Sequence, residues 1–144
     1  MPSSNTIMKI CEKIPSELDA IPGFLNKAMG IIAPLPIDEE EAFKIKLALS
    51  EALINAIKHG NKFNAGLFVE ATIETSENEL SVAVKDQGDG FDFQALADPT
   101  KEENLTKNSG RGVYLIKKLM DKVSFSDGGR TVKMTKFFKK GEAV

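Results

Sequence analysis

Alternating apolar and polar residues predict several β-strands in this chain. Residues 6–14, Leu67–Thr75 and Glu79–Lys85 show the two-residue period of half-buried strands, and only a short turn separates the last two. Val123–Ser126 and Arg130–Phe138 show the same pattern on either side of an Asp-Gly-Gly turn, which is typical of a β-hairpin. Strands that are close in sequence are therefore expected to pair antiparallel.

A helical period is clearest in the segment Glu39–His59. Asp38 is a favourable N-cap, and Glu41 stands at the reciprocal position of a capping box. Gly60 is expected to end the helix. Apolar residues, Phe43 among them, recur on two sides of this segment, so we expect the helix to be buried on most of its surface.

Two further helices are predicted, from Ser16 to about Ile32 and over Gly112–Asp121. Residues 97–110 are polar and lack a period, so they are expected to form a mobile loop. This order of elements predicts an α+β fold, a two-layer α/β sandwich with helices on one face of a mixed, mostly antiparallel sheet. The length of 144 residues suits a single domain spanning residues 1–144.

Composition and charge narrow the functional classes. The net charge of −2 gives no electrostatic reason to expect binding to nucleic acid or to a membrane. The chain shows neither a membrane-spanning apolar run nor a signal peptide, so a cytoplasmic location is expected. The single cysteine, Cys11, excludes an internal disulfide and is expected to be a small core residue. The single histidine, His59, argues against a histidine metal cluster and is expected to act at a helix C-terminus.

Two polar residues interrupt the most apolar part of the helix Glu39–His59. Glu51 and Asn55 lie four residues apart, so their side chains project from the same face. A carboxylate beside a carboxamide oxygen suits a Mg2+ ion that takes its other ligands from waters and phosphates. The alternative is a solvated helix face, and the surrounding apolar residues argue against it.

A glycine-rich turn, DQGDGFD, follows the strand Glu79–Lys85. Asp86 stands at the end of that strand, where its carboxylate can accept a hydrogen bond from the exocyclic amine of adenine. Gly88 and Gly90 let the backbone approach a flat ligand because they have no Cβ. Taken alone, these residues are equally compatible with an ordinary aspartate-glycine turn.

A second glycine pair, Gly110 and Gly112, flanks Arg111 before the last predicted helix. Unpaired amides at a helix N-terminus bind phosphate, and glycines allow the phosphate to come close. By itself the pair is also compatible with a simple loop-to-helix junction. Neither a Walker phosphate loop nor a dinucleotide-binding glycine motif is present.

Taken in order, these three motifs resemble those of the GHKL ATPase superfamily, whose ATP-binding fold is named after Bergerat. SEALINAIKHGN (Ser50–Asn61) resembles the N box, DQGDGFD (Asp86–Asp92) the first glycine box and NSGRGVYLIKKLMD (Asn108–Asp121) the second. Within the superfamily, the chain is most similar to the anti-sigma factor serine kinases. The resemblance extends roughly from Ile10 to Phe138.

The resemblance implies ATP and Mg2+ as cofactors, with Asn55 as metal ligand and Glu51 as general base toward the hydroxyl or water that attacks the γ-phosphate. Residues 97–110 would form a lid over the nucleotide. The nucleotide would be bound by Asp86, Gly88, Gly90, Gly110 and Gly112. Members of the family bind a sigma factor and phosphorylate a serine of an antagonist protein, and several are homodimers.

One position departs from the family pattern. Some members place an arginine, which reaches the γ-phosphate, directly before the serine-glycine of the second box, and this chain has Asn108 there. Lys107 and Arg111 are neighbouring cations out of register with that arginine, so they join Asn108 as candidate nucleotide-binding residues. Two functions therefore stay open: a protein serine/threonine kinase that switches a regulatory partner, and a non-catalytic module that sequesters a partner when ATP is bound. A histidine kinase fragment is disfavoured, because the only histidine lies inside the N box.

Overall fold

Five strands form one antiparallel sheet in the computed structural model, which describes residues 6–88 and 108–138. The strands are β1 (Met8–Pro15), β2 (Phe68–Thr75), β3 (Glu79–Lys85), β4 (Lys122–Ser126) and β5 (Thr131–Phe137). They lie in the order β1-β2-β3-β5-β4, and each neighbouring pair is antiparallel. The predicted α+β fold with a mostly antiparallel sheet is confirmed, and no parallel pair occurs among the described strands.

The described α-helices are α1 (Ile21–Ile32), α2 (Glu39–Asn55) and α3 (Asn108–Leu119), and a short 3₁₀ turn, Leu18–Ala20, precedes α1. The predicted helix from Ser16 is therefore divided, with a proline in the first turn of α1. The core lies between these helices and one face of the sheet. Its largest fully buried side chains include Ile32, Ile45, Leu49, Leu53, Ile57, Ile73 and Leu80.

The start of α2 is capped as the sequence predicts, but only from one side. The Asp38 side chain accepts a hydrogen bond of 2.7 Å from the backbone N–H of Glu41. The Glu41 carboxylate does not return the contact, because Lys136 and Lys44 donate to its two oxygens. The expectation for Phe43 is wrong, since its side chain is 57% exposed. The buried stripe includes Ile45, which is about 200° further around the helix.

The end of α2 also differs from the prediction. The α-helix stops at Asn55, and Ala56–Gly60 form a π-turn in place of a last α-helical turn. The backbone N–H of Asn61 donates to the carbonyl of Ala56 at 2.8 Å, which closes the wider turn. This turn carries the chain toward the glycine-rich residues after β3.

Two further expectations are wrong. Helix α3 begins at Asn108, so the last residues of the predicted loop 97–110 are helical. Amides in a first turn have no partner within the helix, so glycines cost little there. Cys11 is exposed and not part of the core, because strand alternation places it on the face opposite Ile14. Its sulfur accepts a hydrogen bond of 3.3 Å from the Thr72 hydroxyl.

Candidate functional site

The N box and the second glycine box meet where α3 crosses α2. A Cβ placed on Gly112 would lie 2.7 Å from Glu51 Oε1 and 3.3 Å from Asn55 Nδ2. A larger residue therefore cannot occupy this position without displacing one of the two side chains. The structure thus brings Glu51, Asn55 and Gly112 together at the N-terminal part of α3, as the predicted phosphate and metal site requires.

The surroundings of Glu51 and Asn55 differ from those of surface residues. Asn55 is 5% exposed, and Glu51 is half-buried. Burial raises the pKa of the Glu51 carboxyl because the charged form loses hydration. The Glu51 carboxylate and the Asn55 carboxamide both lie beside the backbone of Gly112.

The donor set at this position fits Mg2+ better than a metal held entirely by protein. Carboxamide and carboxylate oxygens are hard ligands, and Mg2+ usually takes one or two of them and completes its shell with waters and phosphates. Within the described ranges, no group of three or more His, Cys, Asp or Glu side chains is arranged to hold a metal. Because Gly112 has no Cβ, no side chain of residue 112 stands between its backbone and the side chains of Glu51 and Asn55.

The first glycine box is packed directly against the π-turn. A Cβ on Gly60 would lie 2.3 Å from the Asp86 carboxyl carbon, and one on Gly88 would lie 1.8 Å from the Gly60 carbonyl oxygen. Both positions therefore require glycine at this close crossing. Asp86 is 1% exposed, so the crossing holds a buried carboxylate at the end of β3.

Hydrogen bonds fix the backbone around Asp86. The N–H of Gly88 donates to Asp86 Oδ1 at 3.0 Å, and the N–H of Asp86 donates to the carbonyl of Arg130 at 2.9 Å. Arg130 Nε donates in turn to the carbonyl of Gly88 at 2.7 Å. Arg130 was not predicted as a site residue, because its contact with Gly88 depends on the pairing of β5 with β3 and no local sequence pattern indicates it.

A small cavity is lined by residues of both the N box and the first glycine box. Its volume is about 10 Å³, which is room for about one water molecule. A purine therefore requires the cavity walls to separate, and two of the lining residues, Phe125 and Arg130, are partly exposed. Polar groups at its wall come from Asn55, Asp86 and Arg130, and the remaining lining residues include Ala52, Val84, Val113, Ile116 and Val132. A mostly apolar wall with a carboxylate suits a purine ring.

Several predicted site residues cannot be placed. Gly90 and Lys107 lie outside the described residues, as does most of the predicted lid. Asn108, Gly110 and Arg111 belong to the first turn of α3, and their side chains also lie outside the described part. Their roles stay predictions.

His59 lies in the π-turn and not at the C-terminus of an α-helix. Burial, together with the neighbouring Lys58, lowers the pKa of its imidazole, so the ring is held neutral over a wider pH range.

Comparison with protein-family models decides the family. The model of the histidine kinase-like ATPase domain matches residues 14–136. The chain belongs to this family. Membership implies that ATP is its ligand, and it confirms the resemblance inferred from the three motifs. In the described ranges, no helix has the length and apolar character needed to cross a membrane.

Curated relatives point in the same direction. The serine-protein kinase RsbW of Staphylococcus aureus strain JH9 is 28% identical over 136 residues, which cover 89% of this chain and 86% of the relative. RsbW of strain Newman gives the same values. The chain is therefore similar to serine-protein kinases along most of its length.

Proposed function

We propose that this member of the ATPase family is a protein serine/threonine kinase that uses ATP. The observation that supports the proposal is the approach of Gly112 to Glu51 and Asn55, with a Cβ-free backbone only a few ångströms from both side chains. The first turn of α3, residues 108–111, lies directly before Gly112, and the unpaired amides of a first helical turn attract phosphate. A triphosphate bound there would have a carboxylate and a carboxamide beside its terminal group.

The two side chains on α2 would have different tasks. Asn55 would hold Mg2+, which neutralises charge on the phosphate oxygens when it is bound. Glu51 would accept the proton of a serine or threonine hydroxyl while that oxygen bonds to the γ-phosphorus. The bond from the γ-phosphorus to the bridging oxygen breaks, and ADP leaves with the electron pair. The raised pKa of Glu51 makes it a stronger base near neutral pH.

The glycine boxes would hold the nucleotide. Asp86 would accept from the adenine amino group, since it is a buried carboxylate at the wall of the cavity. Gly88 and Gly90 would shape the base pocket. The phosphates would be met by a set of residues from the start of α3 and the segment before it: Lys107, Asn108, Gly110, Arg111 and Gly112.

A second function is a non-catalytic module that sequesters a partner when ATP is bound. Asn108 favours it, because the position lacks the arginine that some family members direct at the γ-phosphate. Glu51 favours the kinase, because a module that only binds has no need of a half-buried carboxylate beside the metal ligand. We therefore propose a kinase, and the non-catalytic module replaces it if no phosphate transfer occurs.

We also propose a regulatory protein partner, such as a sigma factor or an anti-sigma factor antagonist. This part rests on the resemblance to anti-sigma factor kinases and on the similarity to serine-protein kinases. Residues 1–144 would act as one domain in the cytoplasm, alternating between ATP and ADP. Contact with nucleic acid or a membrane is not part of the proposal, since the net charge is only −2.

The test is transfer of labelled γ-phosphate to a partner co-purified from the source cell, run beside an ATP titration. We expect Glu51→Ala to retain ATP affinity and to lose transfer by roughly 10²–10⁴-fold. Asn55→Ala should weaken Mg-ATP binding itself, because it deletes a metal ligand. Glu40→Ala is the matched control, since it removes an exposed carboxylate about three turns away on the same helix.

One result would count against the kinase, and another would count only against Glu51 as its base. If the unmutated protein transfers no phosphate to a partner that it binds with ATP, the non-catalytic module replaces it. If Glu51→Ala transfers as fast as Glu40→Ala, the kinase stands but Glu51 is not its base.

A further inference from the structure

Asn61 is a buried polar residue for which the proposed kinase mechanism has no role. It follows the π-turn, and its side chain is only 2% exposed. Its Oδ1 accepts a hydrogen bond of 2.8 Å from the backbone N–H of Gln87. Its Nδ2 donates to the Ser16 hydroxyl at 3.0 Å, and that hydroxyl donates to the carbonyl of Leu67 at 2.8 Å. One carboxamide thus joins three separate segments of the chain.

The hydrogen bond to Gln87 lies next to Asp86. The N–H of Gln87 belongs to the peptide group between Asp86 and Gln87, so its direction sets the ψ angle of Asp86. On the other side of the loop, the Gln87 side chain accepts from the N–H of Phe68 at 2.7 Å. Two hydrogen bonds therefore hold residue 87, and Asn61 is the buried partner in one of them.

Nothing in a generic turn requires this arrangement. A turn after a strand can leave its amides to water, at little cost. Here Asn61 and Ser16, which are 2% and 3% exposed, replace water with a fixed acceptor and a chain of three hydrogen bonds. Without the acceptor, the Gln87 N–H would have to turn toward solvent, and the Asp86 backbone would turn with it.

We propose that Asn61 is a positioning residue for base selectivity: it holds the peptide after Asp86 so that the Asp86 carboxylate keeps one direction at the cavity wall. The inference rests on the proposed role of Asp86 toward the adenine amino group. A carboxylate with one fixed direction distinguishes an amine donor from the carbonyl that guanine has at that position. A carboxylate that is free to turn discriminates less well.

The experiment compares ADP and GDP affinities by calorimetry for the full chain and for two variants. We expect Asn61→Ala to weaken ADP binding roughly tenfold while GDP binding changes little, so the ADP preference narrows. Ser16→Ala is the matched control, because it breaks the same hydrogen-bond chain at its far end and leaves the bond to Gln87 intact. A purely structural role would lower the stability of both variants and leave the ADP preference of both unchanged, and that result overturns the inference.

A second measurement needs no variant and covers the case in which Asn61→Ala does not fold. Hydrogen exchange of the nucleotide-free protein should show strong protection of the Gln87 amide, because its acceptor is in place before the ligand arrives. Exchange at the rate of an open amide would overturn the inference. If the unmutated chain binds neither nucleotide, the proposed function fails and the inference falls with it. If the unmutated chain prefers ADP and Asn61→Ala prefers it equally, only the inference fails.

Discussion

Replacement of Gly88 by alanine tests the closest backbone crossing at the site. A Cβ at residue 88 would lie 1.8 Å from the carbonyl oxygen of Gly60 and 2.6 Å from its carbonyl carbon. Cβ contacts below 3.0 Å essentially never occur, so the two segments must separate by about 1 Å. Both clashing atoms belong to the backbone, and no change of rotamer can relieve the contact.

The expected cost follows from the contacts that the separation disturbs. Forcing an extra carbon into a packed site costs about 1–3 kcal/mol. The hydrogen bond from the Gly88 N–H to Asp86 would also be strained, which adds about 1 kcal/mol. We therefore expect Gly88→Ala to lower the free energy of unfolding by about 2–4 kcal/mol, which leaves most domains folded. ADP affinity should fall at least roughly tenfold, because Asp86 moves with the loop.

Gly30→Ala is the matched control. A Cβ on Gly30 meets nothing within 4 Å, and the residue lies inside α1. Alanine is the better helix former, so this variant should gain about 0.5–1 kcal/mol. Urea unfolding and ADP calorimetry measure both variants. A Gly88→Ala variant whose free energy of unfolding is within about 0.5 kcal/mol of the unmutated chain, and which binds ADP equally well, would refute the close crossing of Gly88 and Gly60.

Three other variants give further predictions. Gly112→Ala should reduce phosphate transfer far more than it changes thermal stability, because the new Cβ would displace the flexible end of the Glu51 side chain. Transfer equal to that of the unmutated chain would contradict a role for the Gly112–Glu51 contact in catalysis. The pKa of Glu51 is raised in the folded chain, so folding favours its protonated form. As the pH rises from below 4.5 through that raised pKa, the free energy of unfolding of the unmutated chain should fall relative to that of Glu51→Gln, as measured by urea titration. Lys136→Met should cost about 1–3 kcal/mol, because it removes hydrogen bonds of 2.8 Å to Glu41 and to the carbonyl of Leu119. Lys136 also holds the pKa of Glu41 below 4.5, so the difference between this variant and the unmutated chain should shrink as pH falls through that lowered value.

Local patterns were enough to predict much of the fold. The strands and both hairpins follow from a two-residue period and short turns, and these features depend on neighbouring residues alone. The start of α2 follows from Asp38, whose capping contact is also local. The antiparallel partners of β5 follow less directly, because its pairing with β3 joins strands that are far apart in sequence.

Features that depend on distant contacts were missed. The π-turn after Asn55 and the crossing of Gly60 with Gly88 depend on two segments that meet in space. The sequence of neither segment indicates that it contacts the other. The contact of Arg130 with Gly88 depends on strand order in the same way. The proximity of Gly112 to Glu51 was inferred only from the family resemblance, since no spacing in the sequence implies it.

The most direct test of the account is calorimetry of ATP and GTP binding to the unmutated chain and to Asp86→Asn. The unmutated chain should bind Mg-ATP with a dissociation constant near the micromolar range, about −8 kcal/mol, and GTP much more weakly. Asp86→Asn should cost about 1.5–3 kcal/mol of ATP affinity, because a charged acceptor becomes a neutral amide with its own donors. Equal affinity of the unmutated chain for ATP and GTP would contradict the assignment of this buried carboxylate to the adenine base.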